Sequence, residues 1–258
     1  MQFAHEKLSV YQKALEFFDH AQEHIASWSK QHAFVDHLLR ASESILFNLA
    51  EAVRLVQPKK KSLCLDYAIG SVFECAACLD IAVVKGLLQS PAACQDKRAL
   101  LELCKMMVGL RKSWMPGHVA EASTEYVAGD GAELDLVFYH EKLDRYTVAL
   151  DFYRWLVSTT PGRSLNDPFE RSVDTLATRI VLNIAESNGR YAELSRQDFL
   201  DTANAAAAKL AVALDMGVRR SIWTASDAMT GKSLLVRVAQ MTVRRDYVDR
   251  PGSQDTLS

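Results

Sequence analysis

Apolar residues along the chain recur at intervals of three and four, the spacing that gathers them on one side of an α-helix. Leu38, Ala41, Ile45, Leu49 and Ala52 form one such stripe. No stretch keeps the strict alternation of a half-buried strand. The prolines, Pro58, Pro91, Pro116, Pro161, Pro168 and Pro251, all fall between periodic segments. A proline inside a helix costs about 3 kcal/mol, so these positions mark boundaries. Helical segments follow near residues 6–29, 34–55, 60–87 and 92–113, and again near 141–159, 167–188, 195–221 and 227–247. Short loops make successive helices antiparallel. The predicted fold class is all-α: two tandem antiparallel up-and-down four-helix bundles.

The two sets of four follow one pattern. His5-Glu6-Lys7-Leu8 returns as His140-Glu141-Lys142-Leu143, an offset of 135 residues. The same offset carries Tyr11 to Tyr146 and Asn48-Leu49-Ala50-Glu51 to Asn183-Ile184-Ala185-Glu186. It also carries Leu65-Asp66 to Leu200-Asp201 and Leu79-Asp80 to Leu214-Asp215. Shared helical composition would not hold register across three loops, so a tandem duplication is expected. The expected divisions are residues 1–115 for copy one, 116–135 for a linker, 136–250 for copy two and 251–258 for a disordered tail. The linker carries Pro116, Gly117, Gly129 and Gly131, which predicts an exposed, flexible segment.

Charge and cysteine usage change this picture little. The net charge of −2 gives no overall attraction to nucleic acid. It is unevenly placed, however. Residues 116–135 hold Glu121, Glu125, Asp130, Glu133 and Asp135 with no lysine or arginine, which leaves both halves mildly basic. No apolar run is long enough to predict a membrane span, and the N-terminus lacks the pattern of a signal peptide. Five cysteines, an odd count, suit free thiols in a reducing cytoplasm.

Three motifs carry a chemical look. His20-Ala21-Gln22-Glu23-His24 has zinc-ligand spacing on a helix, but copy two places Trp155 and Thr159 there. Cys75-Ala76-Ala77-Cys78 has redox spacing, yet it falls mid-helix with no preceding strand, and its counterparts are Leu210 and Ala213. Cys64, Cys94 and Cys104 map to Phe199, Met229 and Ala239, so all five cysteines are expected to be core hydrophobes. Gly231-Lys232-Ser233 resembles the end of a phosphate loop, but Ser226 occupies the position of its first glycine. No catalytic constellation stands out, and neither a cofactor, a metal nor a small-molecule substrate is expected.

Two features survive the comparison of copies. Asn48 with Glu51, and Asn183 with Glu186, are polar pairs inside apolar runs, each on one helical face. Buried polar groups need partners, and the first helix of each copy, through Lys7 or Tyr11 and Lys142 or Tyr146, is the expected source. Such a pair either fixes helix register or forms a contact surface for another subunit or RNA. The second feature is basic: Arg54, Lys59, Lys60 and Lys61 in copy one, Arg190 and Arg196 in copy two, with Arg219 and Arg220 near the third loop. These are either solvated loops or phosphate-contacting patches.

The residues resemble the four-helix bundle family of proteins encoded in intervening sequences of 23S ribosomal RNA genes. That family is similar to the accessory variability determinant of diversity-generating retroelements. The likeness rests on Leu8-Ser9-Val10-Tyr11-Gln12-Lys13-Ala14-Leu15 and Ala68-Ile69-Gly70-Ser71-Val72-Phe73-Glu74 in copy one, and on Asn183-Ile184-Ala185-Glu186 with Gly189-Arg190 in copy two. It implies a cytoplasmic, self-associating bundle without enzymatic activity. Its expected role is a scaffold binding RNA or a ribonucleoprotein, as an accessory of a reverse transcriptase. The alternative is a protein–protein interaction module without nucleic acid.

Overall fold

The computed structural model describes residues 3–114, 138–160, 165–190 and 193–243. Every element among them is helical: α1 (Ser9–Ser27), α2 (Ala33–Arg54), α3 (Pro58–Val84), α4 (Ser90–Trp114), α5 (Asp144–Thr159), α6 (Pro168–Gly189), α7 (Glu193–Arg219) and α8 (Ala225–Thr242). Short 3-10 turns, Ala4–Lys7 and Tyr139–Lys142, precede α1 and α5. The expected linker, 116–135, and the tail, 251–258, lie outside the described residues.

Local chemistry sets the boundaries. Pro58 and Pro168 open α3 and α6, where a missing N–H costs nothing. Asp167 caps α6 by accepting from Phe169 N at 2.7 Å, and Thr224 caps α8 by accepting from Asp227 N at 3.1 Å. The His-Glu-Lys-Leu segments were expected to open α1 and α5; instead they form the 3-10 turns. Leu8 and Leu143 adopt extended backbone and separate turn from helix.

In each half, helices first and second, second and third, third and fourth, and fourth and first pack together, closing a four-helix ring. The chain runs antiparallel within it: Asp66 pairs with Arg111 and Asp80 with Lys97 across α3 and α4. Every element of the second half begins 135 residues after its counterpart in the first. Even the exits match. α3 ends with Gly86 at φ 70° and Leu87 N donating to Ala82 O; α7 ends with Ser221 at φ 57° and Ile222 N donating to Gly217 O.

The halves pack on each other, and one continuous hydrophobic core runs through both. α3 lies in the groove between α5 and α6. It runs antiparallel to α6, with Gly70 against Gly189 near one end and Lys85 against Asp174 near the other. α3 is long and apolar enough to cross a membrane by length and composition, but it is mostly buried within the fold. Packing on both sides accounts for its apolarity.

Candidate functional site

The most concentrated polar chemistry lies along the seam between the halves. Lys97 Nζ sits 2.8 Å from Asp80 Oδ1 and 3.1 Å from Glu141 Oε2, and Tyr146 donates its hydroxyl to Asp80 Oδ2 at 2.7 Å. Burial opposes the lysine's charge, but Asp80 and Glu141 outweigh it and hold Lys97 above the usual lysine range. Further along, Asp174 receives Lys85 at 2.6 Å, the Tyr153 hydroxyl at 2.7 Å and the Ala33 N–H at 3.1 Å. Each network joins residues of both halves.

His140 lies among these groups. It is fully buried against the rings of Phe73, Phe138 and Tyr146, and neither ring nitrogen has a hydrogen-bond partner among the described residues. Burial, with Lys97 and Arg145 adding to it, drives its pKa down to about 3. Asp80, His140 and Glu141 are close enough to share a cation. The Lys97 ammonium already stands between the two carboxylates, so the donor set fits a lysine better than a metal. A cavity of about 200 Å³ opens further along, beside Lys85, Tyr153, Asp174 and Trp223. Its lysine and aspartate are paired with each other.

The third seam contact involves residues singled out from the sequence. Arg190 was a candidate for phosphate contact. It is buried: its guanidinium pairs with Glu186 and lies over the rings of Tyr67 and Phe199, at 5.1 and 4.8 Å. Gly70 makes room for it, since a Cβ there would fall 2.8 Å from Arg190 Cζ. Burial raises the Glu186 carboxyl to about 7 against the pull of Arg190.

The Asn/Glu pairs find partners, but not in the first helices. Asn48 donates to Ser44 O at 2.8 Å, and Asn183 to Arg179 O at 2.7 Å, one turn back in the same helix. Glu51 pairs with Arg54, as Glu186 does with Arg190. Short side chains reach their own helix more readily than a neighbour. Tyr146, expected as such a partner, turns to Asp80 instead.

The remaining basic residues separate into two ends. Arg54, Lys59 and Lys60 are exposed where α2 ends and α3 begins, and Lys61 lies 4.5 Å over the Trp114 ring at the end of α4. Lys7 and Lys112 are exposed at this same end. In the second half Leu194 and Ser195 replace Lys59 and Lys60, and Arg196 donates to Arg190 O at 2.7 Å. Arg219 and Arg220 lie at the far end of α7, where Arg220 pairs with Asp167 and lies over Phe169.

The zinc-like pair is explained by packing. His20 and His24 both face Asp96, at 3.6 and 2.8 Å. The counterparts are Trp155, Thr159 and Gly231, and the Trp155 ring occupies the space a Cβ on Gly231 would need. An imidazole–carboxylate contact in one half thus becomes an indole laid over a glycine in the other. Cys75 and Cys78 are buried in α3, and burial raises both thiols well above the usual range; Cys104 is pushed up to about 12. Lys232 pairs with Asp215 at 2.5 Å, not with a phosphate loop.

The seam residues Lys97 and Lys85 were not picked out from the sequence. One signal was present. Asp80 and Lys97 recur at the 135 offset as Asp215 and Lys232, charged residues kept within apolar segments.

Fold and contacts define an all-helical bundle protein with buried ion pairs across the seam between its halves. Residues 6–109 match the model of the family described as 23S rRNA-intervening sequence protein. No curated protein and no solved structure matches the chain.

Proposed function

We propose that the protein is a non-catalytic helical scaffold that binds RNA through the basic end of its first half. The observation that carries this reading is the gathering of Lys7, Arg54, Lys59, Lys60, Lys61 and Lys112 at one end of a bundle. Glu6 and Glu51 are the nearby acids of the α1 and α2 ends, and Glu51 is taken by Arg54. The start of α3 adds unpaired backbone N–H groups and the positive end of the helix dipole, both suited to phosphate. The description of the matching family, an rRNA-intervening sequence protein, points to the same ligand class.

The test is fluorescence anisotropy with a labelled RNA hairpin over a range of salt. Binding should weaken steeply as salt rises. Changing Lys59, Lys60 and Lys61 together to Ala should weaken it and reduce the salt slope by about two to three. Binding that is absent, or indifferent to both salt and the triple change, overturns the RNA reading and leaves a protein-interaction module.

A further inference from the structure

Close-packed protein interiors leave few voids larger than a water molecule. The seam departs from this at the cavity of about 200 Å³ beside Lys85 and Asp174. Both halves line it: Lys85 and Leu87 come from the first, and Leu156, Val157, Val173 and Trp223 from the second. The 135-residue register shows that its chemistry is not inherited from the repeat. Leu39, Phe18 and Arg220 stand where Asp174, Tyr153 and Lys85 do.

The hydrogen bonds at this cavity do not balance. Asp174 Oδ1 accepts from Lys85 and from the Tyr153 hydroxyl, and Oδ2 accepts from the Ala33 N–H, so most of its capacity is taken. Lys85 is the reverse. An ammonium has three N–H donors, and among the described residues Asp174 accepts one of them. Otherwise its Nζ lies 5.4 Å from the centre of the Tyr153 ring. The Lys85 side chain is 11% exposed, so bulk water reaches little of it. The site is short of acceptors, not of donors.

Charge narrows what can supply the acceptor. Asp174 already neutralises Lys85, and Glu170 also lines the cavity, so a carboxylate would meet two like charges. An amine would meet the ammonium. An uncharged oxygen meets neither objection. Size narrows it further: a cavity of about 150 Å³ holds a benzene ring, so this one has room for a ring with a small polar substituent.

We infer that this cavity binds a small aromatic molecule bearing one uncharged carbonyl oxygen, with the ring among Leu156, Val173 and Trp223 and the oxygen accepting from Lys85. Because both halves line the site, such a ligand clamps the seam and stabilises the folded chain. The site lies at the opposite end of α3 from Lys59, Lys60 and Lys61.

The experiment is fluorine NMR on the full chain, titrated with para-fluorobenzamide and, for comparison, fluorobenzene and para-fluorobenzoate. The amide should bind saturably and at least about tenfold more tightly than either comparison compound, the worth of one hydrogen bond to a charged donor. Val157→Trp, which fills the cavity and leaves the ion pair alone, should abolish binding with an unchanged helical circular-dichroism spectrum. Lys85→Met should erase the preference for the amide over fluorobenzene. The amide should raise the Tm of wild type and not that of Val157→Trp. The Lys59/Lys60/Lys61 triple variant should bind the amide as wild type does, which separates this inference from the RNA reading. The inference is overturned by the absence of saturable binding at millimolar amide, by binding that survives Val157→Trp, or by equal or tighter binding of fluorobenzene or the benzoate.

Discussion

Asp80 and Asp215 occupy the same position in their halves, and each is held by the matching lysine, Lys97 or Lys232. The first pair is buried and also bound by Glu141 and Tyr146; the second is largely open to solvent. The same contrast holds for Phe138 against Phe3 and for Ile81 against Met216. The two halves therefore differ less in what they are built from than in what lies against them.

The largest test of this contrast removes the lysines. Lys97→Met removes the ammonium that stands between Asp80 and Glu141, and breaking such a buried set costs about 3–5 kcal/mol. Lys232→Met breaks a solvent-exposed pair and should cost about 1 kcal/mol or less. Both are measured by urea unfolding. Equal losses would show that the seam network does not depend on burial.

A second test acts on the closest approach in the seam. A Cβ on Gly189 would fall 2.8 Å from Gly70 Cα and 3.0 Å from the Phe73 ring. Backbone has little room to give, so Gly189→Ala should cost about 1–3 kcal/mol. At the counterpart, Arg54→Ala on an exposed helix end should stay within about 0.5 kcal/mol. A silent Gly189→Ala would mean that α3 and α6 can separate without loss.

Much of the fold was legible in the sequence because helix periodicity and proline placement are local signals. The 3-10 turns were not: Tyr-His-Glu-Lys carries helical composition, and the extended Leu143 that ends the turn carries no sequence mark. The seam was hidden for another reason. The Asn/Glu pairs stood out as polar residues in apolar runs, yet their partners proved to be within their own helices. Arg190 appeared as one loop cation among several, and only three-dimensional packing shows it enclosed by Gly70, Tyr67 and Phe199. Lys85 and Asp174 have no counterpart pair, since Arg220 and Leu39 stand there, so comparing copies could not reveal them.

A third test uses protons. His140 is held near pKa 3 in the fold, below its ordinary 6.5. Its contribution is fully present above pH 6.5 and is lost as pH falls below it, because the unfolded chain takes up a proton the folded one refuses. His140→Phe removes that cost along with two unsatisfied ring nitrogens. It should stabilise by about 1 kcal/mol at pH 7.5. Its advantage over wild type should then grow by about 1.4 kcal/mol per unit as pH falls from 6.5 toward 4. Parallel curves for His140→Phe and wild type would place the imidazole in contact with water.

The smallest effect lies at the matched helix exits. Gly86 and Ser221 both adopt the left-handed conformation, which glycine accepts and a side chain resists. The hydrogen bonds around them are the same, Gly86 N to Val83 O at 2.9 Å and Ser221 N to Val218 O at 3.0 Å. Ser221→Gly should therefore stabilise the second half by about 1 kcal/mol, and Gly86→Ser should weaken the first by a similar amount. Thermal melts of the two variants check the symmetry. Opposite shifts of similar size follow if both turns obey one backbone plan. A Ser221→Gly variant that melts no higher than wild type would mean that the serine side chain supplies a contact offsetting its strain, and the two exits would then share geometry but not energetics.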